Sequence, residues 1–121
     1  MAMLPVKSLA ALVIGTLAVA GGATLVQAQS RTDWLSTGQS ASYNGYLYAG
    51  EAVYATCDGD CTDIDILLFD ANNGRLVDSD TLVDDQPVVV APYEGSFVIE
   101  VVMARCSVAP CAVWTDSEYG F

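Results

Sequence analysis

Residues 57–70 read CDGDCTDIDILLFD, a stretch in which two cysteines bracket an acidic turn and the following strand-like run carries more aspartate. Asp58, Asp60, Asp63 and Asp65 place four carboxylates within eight residues. Calcium takes six to eight oxygen ligands at about 2.3–2.6 Å, often from one compact loop. Four like charges so close repel one another, and a divalent cation relieves that repulsion. The expected metal, if the loop holds one, is therefore calcium, with these four aspartates as ligands. The loop is not an EF-hand, because its glycine and terminal glutamate positions do not match. A solvated acidic turn is the plain alternative. Asp70-Ala71-Asn72-Asn73-Gly74 is read as an ordinary hairpin.

Tyr46 and Tyr48 are the second group able to do chemistry. Spaced by two on one strand, they face the same way and combine apolar ring area with a polar tip. Such a pair is a candidate contact surface for sugar rings or an extended polypeptide, with cross-strand packing as the structural alternative. Trp34, Trp114 and Tyr119 are expected to pack the open ends of the fold.

Absences narrow the chemistry further. The chain has no histidine, and its one lysine, Lys7, lies in the leader. Ser-His-Asp and Cys-His nucleophile systems, Schiff-base lysines and the usual zinc sites are thereby excluded. No glycine spacing matches a phosphate loop or a dinucleotide fingerprint. Paired-carboxylate hydrolysis survives on residue type, but a chain this short leaves little room for a sugar cleft. The expectation is a protein that is not an enzyme.

Cys57, Cys61, Cys106 and Cys111 complete the inventory. An even count behind a secretory leader reads as disulfides. Four cysteines permit three connectivities, and spacing favours the two local pairs. The Cys106/Cys111 spacing is too wide for the CxxC of redox couples, so a structural staple is expected. A leader is read in residues 1–28: Lys7 carries the early positive charge, residues 9–20 are almost wholly apolar, and Val26-Gln27-Ala28 suits a signal peptidase. A retained membrane anchor is the alternative, against which Gly15, Gly21 and Gly22 argue. The formal net charge is −11, with 15 acids against 4 basic residues. Losing Lys7 makes it more negative. That field repels nucleic acid and anionic lipid and attracts cations or basic surfaces.

The elements that must position these groups are strands. Apolar alternation marks 41–48, 51–56, 63–69, 76–81, 87–91, 96–104 and 112–115, separated by turn signals such as Asn73-Gly74. No segment of 29–121 has a sustained helical period. Seven or eight short strands point to an all-β antiparallel sandwich in one domain. Alternation turns Ile64, Ile66, Leu68, Phe97, Ile99, Val101 and Met103 inward and turns Asp63, Asp65 and Glu100 outward.

The ordered set of Leu47-Tyr48-Ala49-Gly50-Glu51, Asp63-Ile64-Asp65-Ile66-Leu67-Leu68-Phe69-Asp70, Asn73-Gly74 and Asp78-Ser79-Asp80 resembles the bacterial pre-peptidase C-terminal domain. Gly95-Ser96-Phe97-Val98-Ile99-Glu100-Val101 is similar to that family's late Gly-x-Tyr-x-x-x-Val strand, with Phe97 at the tyrosine position. The resemblance spans residues 40–114. It implies a jelly-roll-like β-sandwich, related to bacterial collagen-binding domains and usually appended to secreted peptidases. No catalytic domain accompanies it in this chain, and the two cysteine pairs stand outside the family pattern.

Together these readings lead to an exported, periplasmic or extracellular module that binds an extracellular or envelope polymer or protein. The alternative is a partner of a secreted peptidase, acting as inhibitor, chaperone or detached targeting domain.

Overall fold

A computed structural model describes residues 31–121 of the protein; the expected leader and its cleavage site lie outside the described residues. The described chain forms eight strands and no helix: β1 (Arg31–Leu35), β2 (Ser40–Leu47), β3 (Ala52–Cys57), β4 (Cys61–Asp70), β5 (Leu76–Asp80), β6 (Val88–Val90), β7 (Gly95–Cys106) and β8 (Cys111–Ser117). They make two antiparallel four-stranded sheets, β1-β8-β3-β6 and β2-β7-β4-β5, packed as a sandwich.

The topology has a simple origin. The first strand pairs with the last, β2 with β7, β3 with β6, and β4 with β5. The chain thus behaves as one long hairpin turning at Ala71–Gly74, rolled up so that successive strand pairs alternate between the sheets. The β3–β8 and β4–β7 ladders then complete them. This is the jelly-roll arrangement, an eight-stranded double sheet. Its core is one cluster that includes Leu47, Ile64, Ile66, Leu68, Phe97, Ile99, Val101 and Met103, the inward positions that period-two alternation predicts.

Three features differ from the sequence expectation. β1 was not among the seven predicted strands, because its inward residues are Arg31, Asp33 and Leu35 and only the last is apolar. Arg31 is accommodated by stacking, its guanidinium lying 5.8 Å from the Tyr43 ring centroid and 5.0 Å from that of Phe121. Asp63 is buried rather than outward: it is 8% exposed, and the β4–β7 register shifts on both sides of it, so alternation breaks there. Trp34 and Trp114 do not close the sandwich ends; they occupy solvent-facing positions of β1 and β8.

Both disulfides are local pairs, Cys57–Cys61 and Cys106–Cys111, and no cysteine is free among the described residues. Each joins a strand of one sheet to a strand of the other, β3 to β4 and β7 to β8. Cys61 lies opposite Cys106 in the β4–β7 ladder, so the two staples sit side by side at one end. Closed disulfides fit an oxidising compartment.

Candidate functional site

The acidic end is built by the β3–β4 turn. Asp58 donates its backbone N–H to the Ala112 carbonyl, and its Oδ2 accepts the Ala112 N–H at 2.9 Å. Its Oδ1 accepts the Asp60 N–H at 3.1 Å. Both carboxylate oxygens of Asp58 therefore cap backbone donors, tying this turn to β8. The Asp60 carbonyl accepts the Ser107 N–H at 2.8 Å and its hydroxyl at 3.0 Å, which locks the two disulfide loops together.

Asp63 and Asp65 belong to different surroundings. Oδ1 of each is buried with no hydrogen-bond partner among the described residues. Burial, followed by the charges of Asp63, Asp80 and Asp84, raises the Asp65 carboxyl above the ordinary carboxylate range. Asp84 is brought there because its carbonyl accepts the Ile64 N–H at 3.0 Å. The charged neighbours of Asp65 are thus Asp63 on its own strand, Asp80 of β5 and Asp84 of the following loop, whereas Asp58 is occupied by the Ala112 and Asp60 N–H groups. Among the described residues no three acidic, histidine or cysteine side chains gather as a metal-holding group. Nothing local in the sequence joins Asp80 and Asp84 to Asp65; the β4–β5 register brings Asp80 and the Ile64–Asp84 backbone bond brings Asp84.

The predicted tyrosine pair is brought together. Tyr46 and Tyr48 are exposed and meet edge to face with centroids 5.9 Å apart. Tyr119, from the segment after β8, adds a third exposed ring, edge-on to Tyr48 at 6.1 Å. The Tyr46 hydroxyl donates to Glu94 Oε2 at 2.6 Å, and that bond to a carboxylate pushes the phenol above its usual range.

The array is set by Glu51, which is 1% exposed. The turn Tyr48–Glu51 closes with the Glu51 N–H on the Tyr48 carbonyl at 3.0 Å, and Gly50 supplies the φ of +82° that its third position requires. The Glu51 side chain then folds back. Its Oε1 accepts the Tyr48 N–H at 2.9 Å; its Oε2 accepts the Ser117 hydroxyl at 2.5 Å and the Tyr119 N–H at 3.3 Å. One buried carboxylate therefore holds the backbones of two tyrosines that lie 71 positions apart in sequence. Tyr119, expected to pack an open end of the sandwich, is instead exposed beside Tyr48; sequence reasoning missed the roles of Glu51 and Glu94. A buried glutamate in a tight turn carries no periodic signature, and a tyrosine beyond the last strand gives no sign of which surface it joins.

No protein-family model matches the chain, and no curated protein matches it. The likeness to the pre-peptidase C-terminal domain stands on the residue pattern alone.

Proposed function

We propose that the protein is a non-enzymatic, exported module, periplasmic or extracellular, that binds an extracellular or envelope polymer or protein through the Tyr46–Tyr48–Tyr119 array. The observation that carries this reading is the buried Glu51 carboxylate, which holds the backbone N–H groups of two of the three tyrosines, whose rings meet edge to face. Preorganised aromatic area loses little conformational entropy on binding, and tyrosine is enriched among residues that dominate interfaces. The closed disulfides and the strongly acidic composition suit an exported protein. The lack of histidine leaves no imidazole general base and no Ser-His or Cys-His nucleophile system. The test is retention on cell-envelope and culture-medium fractions of wild-type protein against Tyr46→Ala/Tyr48→Ala. Weakened retention with an unchanged melting temperature supports the reading; equal retention removes it.

Calcium enters as a stabiliser and rests on Asp63 and Asp65, whose buried Oδ1 atoms have no partner among the described residues. A cation there would offset the crowding of Asp65 by Asp63, Asp80 and Asp84. Thermal melting in a calcium titration tests it. A saturable rise, about 2.7 kcal/mol at a hundredfold excess over Kd, that is lost in Asp65→Asn supports calcium. A flat response removes it.

A further inference from the structure

The outer face of the β1-β8-β3-β6 sheet carries three large rings in register. Trp34 on β1 lies opposite Ala112, and Trp114 is two residues further along β8. Trp114 lies opposite Thr56, and Tyr54 is two residues back along β3. Each ring is thus the diagonal neighbour of the next, at about 7–8 Å between backbone positions, and the three make an oblique strip across successive strands. All three are open to solvent: Trp34 is 64% exposed, Trp114 41% and Tyr54 40%. In the same rows stand Thr32 and Thr56, opposite Trp114, and Asp116, opposite Tyr54.

We infer that this strip is a second binding surface, whose ligand is an uncharged polysaccharide chain. Rings with hydroxyls beside them match a pyranose polymer, which presents flat C–H faces for stacking and hydroxyl edges for hydrogen bonds. Charge selects the uncharged class. Asp116 is the only charged residue among the outward positions of these four strands; the other sheet turns Asp65 and Glu100 outward, and Asp78 and Asp80 reach from it to the β6 edge, where they accept the Val90 and Val88 N–H groups. In a chain of formal charge −11, a polyanion is repelled and a polycation is drawn to the acidic sheet instead. A second copy would press two such chains together across this face. The strip shares no ring with the tyrosine array, so the two readings fail separately.

The chain has two tryptophans, and both are on the strip, so intrinsic tryptophan emission reports this face alone. The experiment adds cellohexaose, N-acetylchitohexaose and laminarihexaose in turn to the protein with both disulfides closed. The expected result is a saturable change in emission with at least one of them. Trp114→Ala should weaken that affinity at least tenfold, and Trp114→Phe, which keeps a ring in the same row, should weaken it less. No change with any hexasaccharide overturns the proposal. So does equal loss in the Phe and Ala variants with unaltered folding, a change that follows protein concentration without sugar, or a change produced by polylysine alone.

Discussion

Glu51 and Ser117 lie 66 positions apart and meet through a 2.5 Å hydrogen bond in the buried interior, where the hydroxyl donates to the carboxylate. The same carboxylate holds the Tyr48 and Tyr119 N–H groups. It therefore ties the β2–β3 turn to the end of β8. Glu51→Gln keeps the shape but puts an NH2 group against donors. Hydrogen bonds to charged groups contribute roughly 1.5–3 kcal/mol, and an unsatisfied buried group costs a similar amount. A loss of about 2 kcal/mol is expected, read as a lower urea midpoint at unchanged slope.

Asp70 and Tyr93 set an acid-sensitive contact. The Tyr93 hydroxyl donates to Asp70 Oδ2, and the Asn72 N–H to Asp70 Oδ1 at 2.7 Å. The bond from Tyr93 first, then those from the backbone, hold the Asp70 carboxyl below its ordinary value. A depressed carboxyl contributes stability that is present above its unfolded pKa of about 3.9 and is lost as pH falls through the lower folded value. In Tyr93→Phe the Asp70 carboxyl should titrate closer to that ordinary value, as followed by carbon-detected NMR. The stability gap between the two proteins should close below about pH 4.

Asp65 has the opposite sign. Its folded pKa is raised, by burial first and then by neighbouring carboxylates, so its ionised form opposes folding and protonation relieves the strain of charge. Asp65→Asn should raise the melting temperature at pH 7 in calcium-free buffer, and the gain should fade as pH drops below the raised value. A variant less stable at pH 7 would show that the carboxylate is favourable in the folded state.

Edge strand β6 is guarded by acids from the facing sheet. Asp80 Oδ2 accepts the Val88 N–H at 2.9 Å and Asp78 Oδ2 accepts the Val90 N–H at 2.8 Å. Those N–H groups would otherwise offer an open template to another strand. Asp78→Ala/Asp80→Ala should aggregate with time at neutral pH, measured by light scattering, before any loss of far-UV signal at the same temperature.

Much of the architecture was legible because it depends on local alternation. The 96–104 run named all four inward side chains of β7, and the Tyr46/Tyr48 spacing placed both rings outward. What escaped depends on partners. β1 looks polar, since Arg31 becomes an inward residue only once Tyr43 and Phe121 arrive to stack on it. Asp63 reads as outward until the register shifts around it turn it in. Asp58 resembles a metal ligand in sequence, yet caps the Ala112 N–H of a strand half the chain away. Trp34 and Trp114 are isolated letters 80 positions apart; only the β1–β8 register makes them neighbours.

The most direct measurement compares the retention of wild type, Tyr46→Ala/Tyr48→Ala and Tyr119→Ala on envelope and medium fractions, with melting temperatures recorded alongside. The account predicts that both variants lose at least tenfold in affinity while melting within a few degrees of wild type. Wild-type retention by the two variants would contradict it.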